Sequence, residues 1–100
     1  MLEVSKNRKV ISVVQEEVEI TNKVGLHVRP ASILVEIARK FKSDIWIERD
    51  GKEANGKSVL SLLLLSGEKG NRINIKAEGP DAAQAVKALA KVVKDKFGEE

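Results

Sequence analysis

The clearest structural signal in this chain is the segment DIWIERDG at residues 44–51. Ile45 and Ile47 lie two residues apart, with polar residues before and after the pair at Asp44 and Glu48, which is typical of a β-strand with one buried face. Asp50-Gly51 then supplies two residues that tolerate the positive φ angles of a tight two-residue turn. The segment therefore predicts a strand, a hairpin turn and an antiparallel partner strand at residues 52–55.

Upstream of this hairpin, the sequence predicts a strand, a loop and a helix. Residues 17–21 alternate between polar and apolar and predict the first strand. Residues 22–28 form a loop, and Pro30 suits the first turn of a helix because its missing N–H needs no partner there. Apolar residues then recur at helical spacing, at Ile33, Leu34, Ile37, Ala38 and Phe41.

Downstream of the hairpin, the sequence predicts a short helix, a strand and a final helix. Ser58 is a residue type that caps helix starts, here the start of an apolar helix over residues 59–65. Asp81, with Gln84 three residues later, resembles a capping box that opens the final helix. The fourth strand is marked by Ile73, Ile75 and Ala77, and the final helix by the apolar stripe Ala82, Ala85, Val86, Leu89, Val93 and Phe97.

The elements follow the order βαββαβα, and each has one apolar side. We therefore expect an α+β fold, a two-layer open-faced sandwich in which three helices cover one face of a four-stranded, mostly antiparallel sheet. A chain of 100 residues holds one such domain, which we assign to residues 16–100. Residues 1–15 are an N-terminal extension of unknown role: a disordered lead, a partner-binding segment or added strand. The alternation of Ile11 and Val13 favours added strand.

Composition excludes several classes of function. Lysine and arginine alternate with acidic residues, and only three residues are aromatic, so the chain lacks the clustered basic surface of a nucleic-acid-binding protein. Its most apolar run, residues 59–65, is shorter than the ~20 residues of a membrane-spanning helix. One histidine, no cysteine and scattered carboxylates predict no metal site and no cofactor. The lack of cysteine and of a signal peptide fits a cytoplasmic protein.

The chemistry is predicted at the segment GLHVRPAS, residues 25–32, which contains the only histidine, His27, directly before a helix. A helix start presents unpaired N–H groups and the positive end of the helix dipole, so Val28 and Arg29 are expected to bind phosphate. His27 is a nucleophile when neutral, and Arg29 would neutralise charge on a transferring phosphoryl group. The residues alone leave a second interpretation open, in which His27 is a partly buried loop histidine and Arg29 a solvated charge.

The segment GLHVRPA, preceded by Ile20-Thr21-Asn22, resembles the active centre of the HPr family, the histidine-containing phosphocarriers of the bacterial phosphoenolpyruvate:sugar phosphotransferase system. The resemblance continues through Lys57-Ser58 and through Ala77-Glu78-Gly79 with Asp81. It covers about residues 16–98 of the chain. It implies a sheet in which the strands lie in the order 1-4-2-3.

The resemblance also implies a mechanism. His27 would accept a phosphoryl group on Nδ1 from phosphorylated enzyme I, whose donor is phosphoenolpyruvate, and give it to a IIA component, with Arg29 assisting both transfers. Such a protein is a covalent carrier and not an enzyme, and we expect it to act as a monomer. Val28 stands where the family usually has a smaller or polar residue, which alters the crowding of the site but removes no chemical group.

Ser58 and the apolar residues after it carry two further expectations. The residues alone make Ser58 a helix cap, whereas the resemblance implies phosphorylation by an HPr kinase/phosphorylase, which would add a dianion at the helix start. Val59, Leu60 and Leu63 are expected to form a docking surface for partner proteins. Packing of these three side chains in the core is an equal alternative from the residues alone.

Three other functions compete with a phosphocarrier. A regulatory HPr-like protein would act mainly through phosphorylated Ser58, but the presence of both His27 and Arg29 favours the carrier. A generic α+β interaction module would involve no phosphate chemistry. Residues 51–58, GKEANGKS, match the nucleotide-binding P-loop pattern. The strand before them alternates, however, instead of being apolar on both faces as in a buried parallel sheet.

Overall fold

The computed structural model describes residues 13–99. The predicted order βαββαβα is confirmed, and one short 3₁₀ turn follows it at Lys96–Gly98. In chain order the elements are β1 (Val13–Glu19), α1 (Val28–Ala38), β2 (Asp44–Arg49), β3 (Lys52–Asn55), α2 (Val59–Leu63), β4 (Arg72–Glu78) and α3 (Ala82–Lys94).

The sheet is antiparallel throughout, with the strands in the order β1-β4-β2-β3, which confirms the predicted fold class and strand order. Asp50 and Gly51 form the predicted turn between β2 and β3, with φ angles of 48° and 84°. Arg49 pairs with Lys52 across that turn. Residues 51–58 therefore form a turn, an antiparallel strand and the approach to α2, and not a P-loop.

The first strand lies further upstream than the alternation predicted. Val13 pairs with Glu78 at one end of β1, and Glu19 pairs with Arg72 at the other. Residues 13–15, which the sequence placed in the N-terminal extension, are thus part of the sheet. Ile20 ends the pairing, donating its N–H to the carbonyl of Asn71 at 2.9 Å. The prediction for Ile11 lies outside the described residues.

The core lies between the sheet and the helices. Its largest fully buried side chains come from every layer and include Ile20, Leu34, Ile47, Leu62, Ile73, Ile75, Leu89 and Val93. Burial of each such side chain contributes roughly 1.5–3 kcal/mol. Charged side chains lie between the strands on the sheet's other face, where Lys76 Nζ is 3.0 Å from Glu53 Oε2 and Arg72 Nε is 3.3 Å from Glu17 Oε1.

The predicted capping box at Asp81 is wrong, because the Asp81 carboxylate binds another part of the chain. It accepts hydrogen bonds from the backbone N–H groups of Lys42 and Ser43, each at 2.9 Å, and from the Ser43 hydroxyl at 2.6 Å. The Ser43 hydroxyl, followed by the Lys42 N–H, lowers the pKa of Asp81 to about 2. Asp81 therefore ties the start of α3 to the segment that leads into β2.

Candidate functional site

His27 is the residue directly before α1, in an extended backbone conformation with φ −110° and ψ −170°. Its carbonyl accepts the N–H of Ala31 at 2.9 Å, which closes the first turn of the helix. The first N–H groups of a helix have no partner within the helix. Pro30 is the third residue of α1 and has no N–H, so Val28 and Arg29 supply the two leading amides of this turn. Both of these residues are exposed.

The turn before His27 is held by its own hydrogen bonds. Asn22 is fully buried, and its Nδ2 donates to the carbonyl of Gly25 at 2.8 Å. Gly25 has a φ of 81°, and the next residue, Leu26, donates its N–H to the carbonyl of Gly67 at 3.0 Å. The Leu26 side chain is buried in the core. These contacts fix the backbone on which His27 is presented.

The structure adds Glu99, which the sequence analysis did not identify. Nε2 of His27 lies 3.1 Å from Oε2 of Glu99, and Nδ2 of Asn22 donates to Oε1 of the same carboxylate at 3.0 Å. The hydrogen bond from Asn22 is the largest cause that lowers the pKa of Glu99 below its ordinary 4.5, and His27 adds to this lowering against the effect of desolvation. His27 and Glu99 are 72 residues apart, so no local pattern could reveal the pair.

The His27 ring remains accessible although it contacts Glu99. Its side chain is 39% exposed, whereas that of Glu99 is only 14% exposed. Arg29, the second residue of α1, carries a guanidinium whose charge also contributes to the lowered pKa of Glu99. The site therefore combines an accessible imidazole, a helix start, a cation and a carboxylate.

Ser58 caps α2, as the sequence predicted. Its hydroxyl oxygen accepts the N–H of Ser61 at 3.2 Å. The preceding residue, Lys57, is bound to the end of α1: its ammonium donates to the carbonyl of Phe41 at 2.8 Å, and its carbonyl accepts from the Arg39 guanidinium at 3.3 Å. Ser58 is therefore presented on a turn that is tied to the first helix.

The three residues expected to form a docking surface differ in exposure. Leu60 is 68% exposed, whereas Val59 and Leu63 are half-buried and pack against the core. Leu64, also 68% exposed, was not among the three residues predicted from the sequence, and it lies directly after α2, which ends at Leu63. The other exposed large apolar side chains in the described part of the chain are Val13, Val24 and Val28.

Within residues 13–99, no helix is long and apolar enough to cross a membrane. No three or more histidine, cysteine, aspartate or glutamate side chains of these residues are grouped so that they could hold a metal ion.

Comparisons with known proteins agree with the sequence resemblance. Residues 14–95 match the family model PTS-HPr, described as the PTS HPr component phosphorylation site. Phosphocarrier protein HPr of Neisseria meningitidis is 36% identical over 85% of this chain and 96% of its own length. HPr-like protein Crh of Bacillus subtilis is 39% identical over 82% of this chain and 96% of its own length. The crystal structure of HPr-C-His from Thermoanaerobacter tengcongensis superposes with a TM-score of 0.84 at 45% identity, covering 87% of this chain and 98% of that one.

Proposed function

The chain belongs to the HPr family of phosphotransferase-system phosphocarriers, and on this premise we propose that His27 accepts a phosphoryl group from phosphorylated enzyme I and passes it to a IIA component. The observation that carries the proposal is the placement of His27 directly before α1, with 39% of its side chain exposed. A carrier must enter the sites of two different partners, which a shallow, accessible position allows. We further propose that the protein acts as a monomer in the cytoplasm, where these partners meet it.

The transfer can be written in terms of the groups around His27. A ring nitrogen attacks the phosphorus of the phosphohistidine on enzyme I, a new N–P bond forms, and the donor's N–P bond breaks with its electron pair returning to the donor nitrogen. Phosphoryl transfer depends mainly on positioning and on neutralising the oxygens of the phosphoryl group. The amides of Val28 and Arg29 and the Arg29 guanidinium supply that neutralisation. The same groups act in the second transfer, because it reverses the first with a new acceptor.

Partner proteins would dock beside His27 on exposed apolar side chains. Leu60 and Val28 are the best candidates, at 68% and 60% exposure. Val59 and Leu63 contribute only the part of their surface that the core leaves open. Together such side chains would form an apolar patch, and a contiguous exposed apolar patch is typical of surfaces that bind other proteins.

A second function, regulation through Ser58, is favoured by the capping geometry of that residue. A phosphate on the Ser58 hydroxyl would stand at the start of α2, where a dianion is electrostatically favourable, and it would add charge directly before Val59 and Leu60. The likeness to Crh of Bacillus subtilis, whose solution structure is described as that of a catabolite repression HPr, supports a regulatory role as the alternative to sugar uptake. The enzyme involved would be an HPr kinase/phosphorylase.

The decisive experiment is incubation with enzyme I and phosphoenolpyruvate, followed by an assay for acid-labile phosphate. The parent protein and Ser58→Ala should both become phosphorylated, whereas His27→Ala should not. Absence of acid-labile phosphate on the parent protein would refute the carrier function. Its presence on His27→Ala would refute the assignment of the site.

Regulation through Ser58 requires a separate experiment with HPr kinase and ATP. The parent protein should gain acid-stable phosphate, and Ser58→Ala should not. The variant Ser58→Asp should accept phosphoryl groups from enzyme I more slowly than the parent. Equal rates for the two proteins would exclude inhibition by charge at this position.

A further inference from the structure

Glu99 bridges two residues of the loop before α1. Its Oε1 accepts from Asn22 Nδ2 at 3.0 Å, and its Oε2 lies 3.1 Å from Nε2 of His27. Asn22 is fully buried and makes its other Nδ2 hydrogen bond to the carbonyl of Gly25. The carboxylate is thus held by a rigid donor on one side and meets the imidazole on the other.

The backbone before Glu99 is shaped to bring this side chain back to the loop. Lys96 and Phe97 both have left-handed backbone angles, with φ of 57° and 56°, which is strained for residues other than glycine. The Phe97 side chain is buried in the core, which anchors the strained turn. Strain of this kind persists where the surrounding contacts impose it. Here the strained turn places the Glu99 side chain beside His27.

The charge state of Glu99 decides which ring nitrogen carries the proton. With its pKa lowered, the carboxyl is ionised at neutral pH and can only accept hydrogen bonds. Nε2 of His27 must therefore be the donor in this contact. In a neutral imidazole the lone pair then resides on Nδ1.

We propose that Glu99 is a positioning residue for phosphoryl transfer, which holds the His27 ring as the Nε2–H tautomer and so leaves Nδ1 as the nucleophile. The inference rests on the proposed carrier function. When Nδ1 forms the new N–P bond, the proton stays on Nε2, and the positive charge that develops on the ring faces the Glu99 carboxylate. A carboxylate that orients a histidine through its second nitrogen has the same effect in the serine protease triad.

The first test reads the tautomer in the unmodified protein. The ¹⁵N chemical shifts of the His27 ring, measured under alkaline conditions where the imidazole is neutral, should show a protonated Nε2 and an unprotonated Nδ1. A neutral ring that carries its proton on Nδ1 would overturn the proposal. This measurement requires no partner protein, so it is independent of the carrier function.

The second test replaces the carboxylate by an amide. Asn22 donates to one side of residue 99, so the amide introduced by Glu99→Gln must turn its oxygen toward Asn22 and its NH₂ toward His27. That NH₂ group needs an acceptor, which selects the opposite tautomer. Glu99→Gln should therefore shift the proton to Nδ1 and slow phosphorylation by enzyme I by about tenfold or more, as expected when a catalytic histidine is held in the wrong tautomer.

Two further variants separate this effect from a loss of structure or charge. Glu99→Ala removes the contact without imposing the wrong tautomer, so it should slow transfer less than Glu99→Gln. Glu36→Gln, which changes an exposed glutamate on α1, should match the parent in both rate and ¹⁵N shifts. Equal slowing by Glu99→Gln and Glu99→Ala with an unchanged tautomer would overturn the proposal. If the parent protein itself takes no phosphate, the carrier function fails instead.

Discussion

Replacing Gly25 by alanine should destabilise the protein more than the same replacement at Gly51. Both glycines have left-handed backbone angles, with φ of 81° and 84°. A Cβ atom on Gly25 would lie 2.7 Å from the carbonyl oxygen of Gly67 and 2.9 Å from Cα of Glu68, whereas one on Gly51 would meet no described atom within 4 Å. Both variants therefore lose unfolding free energy to a strained backbone, and only Gly25→Ala also loses it to steric overlap.

The expected magnitudes follow from these two costs. A left-handed conformation costs an alanine roughly 1–2 kcal/mol, which is the whole effect expected for Gly51→Ala. Overpacking against atoms that cannot move away adds about 1–3 kcal/mol. The Gly67 carbonyl is such a group, because it is a backbone atom that also accepts the Leu26 N–H at 3.0 Å. Gly25→Ala should therefore lose roughly 2–5 kcal/mol of unfolding free energy.

The free energies can be measured by urea denaturation followed by the fluorescence of Trp46, the only tryptophan in the chain. Domains of this kind have a free energy of unfolding of about 5–15 kcal/mol, which is at least as large as the expected losses, so both variants should give measurable unfolding transitions. Gly25→Ala should also accept phosphate from enzyme I more slowly, since its turn presents His27, and Gly51→Ala should not. Free-energy losses that agree within about 0.5 kcal/mol would refute the steric argument.

Three other predictions use the same unfolding measurement. Leu62→Ala should lower the free energy of unfolding by about 2–5 kcal/mol because Leu62 is fully buried. Leu60→Ala, at a 68% exposed position, should change it by less than about 0.5 kcal/mol. Equal losses for the two variants would contradict the assigned core. Ser58→Ala should lose roughly 0.5–2 kcal/mol with the helix cap, and Ser58→Asp, which keeps an acceptor, should restore most of it. The folded-state pKa of Asp81 is about 2 against an ordinary 3.8, so the stability it contributes is present above that ordinary value and is lost as the pH falls through about 2. Asp81→Asn should flatten the fall of unfolding free energy between about pH 4 and pH 2, and a fall as steep as the parent's would show that Ser43 and Lys42 do not stabilise the ionised carboxyl.

Sequence patterns predicted those helices and strands that are specified by residues close together in the chain. The hairpin of β2 and β3 is specified by the two-residue spacing of Ile45 and Ile47 and by two residues that accept positive φ, all within eight consecutive positions. The extent of β1 was not predictable in this way. Glu16 stands in the core-facing phase between Val14 and Val18 and interrupts the apolar pattern, and the structure accommodates it through a 2.8 Å contact with Lys94. That lysine lies in the last turn of α3, far along the chain.

In the candidate site, too, the residues specified by local sequence were predictable and the residue brought in by the tertiary fold was not. His27 and Arg29 are identified from one short segment, because a helix start and its anion-binding amides are encoded locally. Glu99 cannot be identified from a local segment, since its partners His27 and Asn22 are 72 and 77 residues away. The error at Asp81 has the same origin: its side chain had two available uses, a cap on its own helix or a contact with Ser43, and only the tertiary fold selects between them.

The orientation of the Asn22 amide shows why this residue, and not the histidine, holds the carboxylate in place. Its Oδ1 is buried without a hydrogen-bond partner among the described residues, which costs roughly 1–3 kcal/mol. Rotating the amide would present Oδ1 to the Gly25 carbonyl and to Glu99, both of which are acceptors. Because that alternative loses two hydrogen bonds and opposes like partial charges, the amide is confined to one orientation. Glu99 is therefore fixed by a donor that cannot turn away, and the exposed imidazole takes its orientation from Glu99.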